Sequence, residues 1–387
     1  MNSLTLTGFV LAATLPSLVM TYLATFFIRR LALYFELVDR PNARKVHTKT
    51  TPLGGGVAIW LGVISFFAVA QLGLLLIDIH EGGGVSLLGF SLPDLVGKHY
   101  GGLWQQSGKL WVLLIAATLL MLLGLWDDKK GIRWQLRLGL QFFISALCVW
   151  LFDWRLTAFI EIPWLTSFLS VLWIVALINS FNMLDNMDGL SGGVALIAAT
   201  VLATAMLLID DPAKAAPQLF VSGFLFVFAG SLFGFLLHNR PPASIFMGDA
   251  GSYFVGFCIA VATLLATYTG QQSGSSHAVL TPLFVMAVPL YDMLSVIVIR
   301  LMQGRSPFEA DRYHFSHRLV VLGLSKTQAV FTVYLTSATC GLGALLLHQV
   351  NWLGGVIIGL MIFFILSIVA ILEVTARKSL HNKKEQK

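Results

Sequence analysis

Carboxylates in this chain come in tight groups, each at an end of a long apolar run. Trp126-Asp127-Asp128-Lys129-Lys130 closes one run, and Asn179-Ser180-Phe181-Asn182-Met183-Leu184-Asp185-Asn186-Met187-Asp188-Gly189 closes another. Phe246-Met247-Gly248-Asp249-Ala250-Gly251-Ser252 opens a third. Ionised acids at the mouth of a membrane helix are costly, and a cluster of them points to a cation and chemistry rather than to packing. The cation that fits is Mg²⁺, with Mn²⁺ as the alternative, because Mg²⁺ takes oxygen ligands and lets substrate phosphates complete its shell. Asp185 and Asp188 are three positions apart, with Asn182 three earlier, so on a continuing helix all three share one stripe. Gly248 and Gly251 flank Asp249, which allows close approach of backbone to a ligand at a helix start, where free N–H groups favour an anion.

Two cationic segments complete the set. One is Arg44-Lys45-Val46-His47, and the other runs from Asp311 through Arg312, His314 and His317 to Arg318. Arg318 is suited to bidentate phosphate contact. Each group also has a plainer reading. Asp127-Asp128 with the following lysines could be a solvated turn, Asp185, Asp188 and Asp249 could be helix caps, and His314 and His317 ordinary loop histidines. Gly54-Gly55-Gly56 reads as close helix packing. Asp292 stands apart, inside an apolar run beside Pro289 and Tyr291. Either a proline kink lifts it toward the site, or it braces the bundle through a hydrogen bond.

The elements that must bring these groups together are membrane helices. The 387 residues are 57% hydrophobic and 11% charged, with a mean hydropathy of +0.82, whereas soluble domains carry about 25% charged residues. A span needs about 20 apolar residues. Eleven runs qualify: 7–28, 54–77, 108–126, 134–152, 165–178, 190–209, 218–237, 251–269, 279–302, 329–347 and 352–372. With the N-terminus outside, 21 of the 25 Lys and Arg fall on inner segments, the other four being Lys98, Lys109, Arg155 and Lys214. The positive-inside rule therefore fixes the orientation, with the C-terminus cytoplasmic. All five polar clusters then share the cytoplasmic face. The expectation is an all-α polytopic bundle of about eleven helices, one membrane domain over residues 1–373 and a basic tail over 374–387.

Other classes fall away. Cys148, Cys258 and Cys340 lie singly in apolar runs and make neither a disulfide framework nor a zinc site. The first apolar run is followed, not preceded, by Arg29-Arg30, the reverse of a cleavable signal. No basic stretch is interleaved with aromatics as nucleic-acid binding requires, and the net charge of +6 matches inner-loop retention signals. An ion-coupled transporter would place its acids near the midplane and show inverted repeats, and no repeat is visible.

In these motifs the chain resembles the polyprenyl-phosphate N-acetylhexosamine-1-phosphate transferases. The residues that carry the resemblance are Asp39-x-Pro41-Asn42-x-Arg44-Lys45-x-His47 with Pro52-x-Gly54-Gly55, Asp127-Asp128, and Asn179-x-x-Asn182-x-x-Asp185-x-x-Asp188-Gly189. Met247-Gly248-Asp249-x-Gly251-Ser252, Gly304-Arg305-Ser306-Pro307-Phe308 and Asp311-Arg312-x-His314-x-x-His317-Arg318-Leu319 follow in order. The resemblance implies Mg²⁺-dependent transfer of a sugar-1-phosphate from a UDP-N-acetylhexosamine, GlcNAc first, to undecaprenyl phosphate with release of UMP. It also implies a multi-pass enzyme of the bacterial inner membrane with a cytoplasmic site. Asn182 and Asp249 are then the metal ligands. Asp127 or Asp128 addresses the acceptor phosphate, and Asp185 and Asp188 position the nucleotide. His314, His317 and Arg318 hold the donor. Arg44, Lys45, His47, Asn179, Asp292 and Arg312 are further substrate contacts. A sister branch acts on UDP-MurNAc-pentapeptide and has ten spans and adjacent histidines in its last large inner loop. Here that loop reads His314-Phe315-Ser316-His317, so Ser316 stands where a histidine is frequent, and Asn186 replaces a common glycine. The echo of intramembrane aspartyl proteases in Gly248-Asp249 and Tyr291-Asp292 has its two motifs in reversed order. Oligomeric state, a homodimer included, is left open.

Overall fold

The computed structural model describes residues 3–40, 50–79, 85–87, 90–91, 94–152, 154–156, 160, 162–208, 215–270, 279–309 and 313–385. Arg44, Lys45, His47 and Arg312 lie outside these. Thirteen helices are found among the described residues: α1 (Ser3–Tyr34), α2 (Gly55–Leu75), α3 (Asp94–Lys130), α4 (Trp134–Phe152), α5 (Pro163–Leu184), α6 (Leu190–Leu208), α7 (Ala215–Asn239), α8 (Gly248–Gly270), α9 (Thr281–Val285), α10 (Ala287–Met302), α11 (Phe315–Val321), α12 (Lys326–Leu346) and α13 (Trp352–Glu385). Ten of them are long and apolar enough to cross a membrane, so this is a multi-pass membrane protein. The ninth apolar run, 279–302, forms α9 and α10, which break at Met286. The cause is Pro289: it has no N–H to give, and its ring collides with the carbonyl four residues back, that of Val285, where α9 ends.

Little of this bundle is held by the hydrophobic effect, since lipid tails are as apolar as leucine; close packing and interhelical hydrogen bonds take its place. Both are visible. Ser17 Oγ of α1 donates to Val227 O of α7 at 2.7 Å, Thr21 Oγ1 and Ser231 Oγ share a hydrogen at 2.7 Å, and Ser231 Oγ lies 2.8 Å from Ile59 O of α2. A Cβ at Gly56 would run into the backbone nitrogen of Gly251, so α2 meets the start of α8 backbone to backbone. Gly55 and Gly56 N–H donate to Phe246 and Met247 carbonyls there. Helix α8 packs on α2, α3 and α5 and is the most buried span, with Tyr253, Phe254 and Phe257 inaccessible to solvent.

Among the described residues, two short ladders lie outside the helices. Strands β1 (Val38–Asp39) and β2 (Thr51–Pro52) pair antiparallel, Val38 with Pro52 and Asp39 with Thr51. Pro52 O accepts Phe246 N–H at 2.9 Å, which ties β2 to the approach of α8. Strands β3 (Ile77–Ile79), β4 (Val85–Leu87) and β5 (Phe90–Ser91) form a small sheet in the long connection between α2 and α3.

Candidate active site

The start of α8 is the hub. Gly248 has φ +71°, and a Cβ there would sit 2.6 Å from Asp128 Oδ2, so both the backbone and the space require glycine. The tight turn delivers the first N–H groups of α8 to Asp128 at the end of α3. Asp249 N–H donates to Oδ1 at 2.9 Å and Ala250 N–H to Oδ2 at 3.1 Å, so a carboxylate more than a hundred positions away caps the helix and meets its positive end. The side chain of Asp249 projects onto α5, where Asn182 Nδ2 donates to its Oδ1 at 2.6 Å and to Ser252 Oγ at 3.1 Å. Asp185 terminates α5 and accepts from Gly248 N–H. Burial, with the nearby Asp249 charge adding repulsion, pushes the Asp185 carboxyl up to about 7. Three acids and an amide from α3, α5 and α8 thus surround one helix turn.

The other acids are used differently. Asp127 is buried and saturated: Oδ1 accepts Ile132 N–H at 2.7 Å, and Oδ2 accepts from Arg137 Nη1 at 3.2 Å and Tyr253 Oη at 2.9 Å. Of the adjacent pair, Asp128 faces α8 and Asp127 braces α3 against α4. Asp188 Oδ2 accepts Ala243 N–H at 3.0 Å, tying the α5–α6 turn to the α7–α8 connection. Asn179, one turn deeper in α5, donates to Gln141 Oε1 at 2.7 Å and Val175 O at 2.8 Å. It is engaged between α4 and α5.

The histidine loop docks on the same end of the bundle. His314 is the N-cap residue of α11; its Nδ1 lies 3.0 Å from Asp292 Oδ2, and Phe315 N–H donates to Asp292 Oδ1 at 2.5 Å. Asp292 is inaccessible to solvent. Of the two roles open to it from the sequence, the geometry shows hydrogen bonding that braces α10 against the start of α11. Arg318 Nη2 donates to Ser295 Oγ at 2.7 Å and its guanidinium lies 5.8 Å from the Tyr291 ring centroid. The His314 and His317 rings are 6.2 Å apart. Ser316 Oγ donates to Asn186 Oδ1 at 2.5 Å, joining this loop to the turn between Asp185 and Asp188.

Several residues that build the site, Ser252 apart, belong to none of the sequence motifs. Buried Asn239 accepts Gly189 N–H at 2.9 Å and donates to Ile245 O at 2.8 Å, clasping the acidic turn to the approach of α8. Tyr253 and Arg137 hold Asp127, and Ser252 shares the Asn182 amide. A polar residue in an apolar run is visible in the sequence, but its partner is not.

The donor set suits Mg²⁺. Asp249, Asn182, Asp185 and Asp128 offer only oxygen and amide groups. Among the described residues no three His, Cys, Asp or Glu side chains are placed to hold a metal by themselves, so a cation here would take its remaining ligands from phosphate and water.

Fold and site together define a multi-pass membrane protein with an acidic cluster at one end of its bundle, faced by a loop of histidines and arginine. Residues 110–267 match the profile of glycosyl transferase family 4. A decaprenyl-phosphate N-acetylglucosaminephosphotransferase of Mycolicibacterium smegmatis (strain ATCC 700084 / mc(2)155) is 31% identical over 351 residues, covering 85% of this chain and 80% of its own length. A probable undecaprenyl-phosphate N-acetylglucosaminyl 1-phosphate transferase of Bacillus subtilis (strain 168) is 29% identical over 363 residues, 92% of this chain and 90% of the relative. An undecaprenyl-phosphate alpha-N-acetylglucosaminyl 1-phosphate transferase of Escherichia coli (strain K12) is 27% identical, with coverage of 82% and 78%. The chain belongs to glycosyl transferase family 4, among its polyprenyl-phosphate N-acetylhexosamine-1-phosphate transferases.

Proposed function

We propose that this enzyme transfers GlcNAc-1-phosphate from UDP-GlcNAc to undecaprenyl phosphate at the cytoplasmic face of a bacterial inner membrane, releasing UMP. The observation that carries the reading is the meeting of Asp128, Asn182, Asp185 and Asp249 around one helix start, next to the loop of His314, His317 and Arg318. The names of the relatives support the sugar and the polyprenyl acceptor.

The reaction forms one P–O bond and breaks one. An oxygen of the lipid phosphate attacks the phosphorus that bears the sugar, the pyrophosphate bridge opens, and UMP leaves with the bridging oxygen. Such a transfer asks for alignment and charge neutralisation more than for covalent help from the protein. Asp249 and Asn182 would hold Mg²⁺, with Asp185 beside them; when bound, the cation neutralises the donor pyrophosphate. Asp128 orients the acceptor side and fixes α8. Asp188 sets the turn that carries Asp185. His314, His317 and Arg318 receive the donor phosphates and sugar. Arg44, Lys45 and Arg312 supply further positive charge. Direct attack is favoured over an aspartyl-phosphate intermediate because such a transfer needs alignment and charge neutralisation rather than a covalent link to the protein; a phospho-enzyme that survives denaturation would overturn this.

The test is purified protein in detergent with Mg²⁺, undecaprenyl phosphate and a panel of UDP-sugars that includes UDP-GalNAc and UDP-MurNAc-pentapeptide. UMP release with UDP-GlcNAc is expected. Release only with the pentapeptide donor would move the chain to the sister branch, and ion flux in proteoliposomes without nucleotide would indicate a transporter. In the same assay Arg318→Lys keeps the charge but loses the planar fork. Its KM for the UDP-sugar should rise about tenfold, the worth of one charge-assisted hydrogen bond, with kcat little changed. An unaltered KM would remove Arg318 from the donor site.

A further inference from the structure

Two positions at which this chain departs from the pattern it resembles, Asn186 and Ser316, are bonded to each other. Asn186 lies between Asp185 and Asp188 in the α5–α6 turn, and Ser316 lies between His314 and His317 in the first turn of α11. They are 130 positions apart in the chain and 2.5 Å apart across the site, Ser316 Oγ donating to Asn186 Oδ1. Ser316 is almost wholly buried. Asn186 is oriented in turn, because its Nδ2 donates to Met183 O at 2.8 Å, so the acceptor oxygen has one direction to face.

The first turn of α11 is therefore held from two sides. From α10, Asp292 takes His314 Nδ1 and Phe315 N–H; from the acidic turn, Asn186 takes Ser316 Oγ. The first contact orients one histidine. The second sets how far the histidine–arginine loop stands from Asp185 and its neighbours. A pyrophosphate donor held between the acidic turn and the cationic loop would be sensitive to that separation, since its two ends must be met at once.

We propose that Ser316 and Asn186 form a positioning couple that fixes the span between the acidic turn and the donor-binding loop, and so sets affinity for the UDP-sugar. This rests on the donor assignment made above. Neither side chain needs to touch the reacting atoms. The couple acts through His314, His317 and Arg318.

The experiment is a double-mutant cycle of Ser316→Ala, Asn186→Ala and the pair, with KM for UDP-GlcNAc, kcat and the Mg²⁺ requirement measured on material that elutes as a single species. Each single variant should raise the donor KM about three- to tenfold, the effect of one buried hydrogen bond, with kcat and half-saturating Mg²⁺ near wild type. The double variant should be no worse than the poorer single one, because both remove the same contact. Ser316→Thr, which keeps the hydroxyl, should recover part of the affinity. Multiplying effects in the double variant, an unchanged KM, or a loss confined to kcat would each overturn the couple. If Ser316→Ala does not fold, Asn186→Ala on the half-buried turn decides through its own KM. Failure of the donor assignment would look different, because wild-type protein itself would then release no UMP.

Discussion

Asp249→Asn is expected to abolish turnover, by about a thousandfold or more, while protein yield and elution behaviour stay at wild-type levels. The substitution keeps the shape and removes the charge. The backbone role survives intact: Asp249 N–H still caps onto Asp128, and Asn182 can still pair with the new amide by turning its own. What is lost is an anionic oxygen at the meeting point of α3, α5 and α8. If that oxygen is a ligand to the cation, its loss withdraws several kcal/mol of stabilisation from the charge developing on the transferred group, and about 4 kcal/mol is a thousandfold. Raising Mg²⁺ should restore little, because the defect is in charge and not only in affinity. Turnover within tenfold of wild type would take Asp249 out of the cation site. It would leave Asp185 and Asp128 as the acids to examine.

The helices were legible in the sequence because lipid imposes a length and a composition. The run 134–152 reappears as α4 residue for residue, and 54–77 as α2 within two residues at either end. Departures have local causes. The fifth apolar run ends at Ile178, whereas α5 continues to Leu184, since Ser180 and Asn182 are polar but face protein rather than lipid: Ser180 Oγ donates to Pro289 O and Asn182 to Asp249. The third apolar run spans Gly108 to Trp126. Helix α3 begins at Asp94 and carries Asp127 and Asp128 in its last turns, because both acids find donors there. The split of α9 from α10 could have been placed from Pro289 alone.

The site was legible as a set of residue types and opaque as a set of pairs. Topology brings Asp128, Asp185, Asp249 and the histidine loop to one end of the bundle, as side assignment from Lys and Arg required. It says nothing of which carboxylate is spent on which donor. Asp127 and Asp128 are indistinguishable as neighbours in the chain, yet one is consumed by Tyr253, Arg137 and Ile132 and the other caps α8. Arg137 enters the sequence reading only as a positive charge that fixes orientation, and its partner is ten residues earlier on the preceding helix. Pairings of this kind depend on helix rotation. In an all-apolar background no periodicity of the surrounding side chains reports it.

Asp292→Asn should lower kcat/KM for the UDP-sugar by about a hundredfold, the upper end of what is lost when a group that orients a functional histidine is removed. Asp292 has no solvent-accessible surface and serves two donors at once. A carboxylate accepts from His314 Nδ1–H and from Phe315 N–H together. The amide oxygen of asparagine can keep Phe315, but its NH₂ group can only donate toward His314. Nδ1 must then become the acceptor, and the ring proton moves to Nε2, so the face that His314 offers to a ligand is inverted. The helix stays capped and α11 stays docked, so the melting temperature should shift little. Asp292→Leu separates the two functions. It leaves Phe315 N–H buried without a partner, a cost of about 1–3 kcal/mol, and both the melting temperature and the rate should fall. Mg²⁺ dependence should be unchanged in the asparagine variant, since Asp249 and Asn182 share no hydrogen bond with Asp292. If Asp292→Asn turns over at the wild-type rate, His314 does not act through its oriented ring. The link from α10 to α11 is then scaffold, and the donor rests on His317 and Arg318.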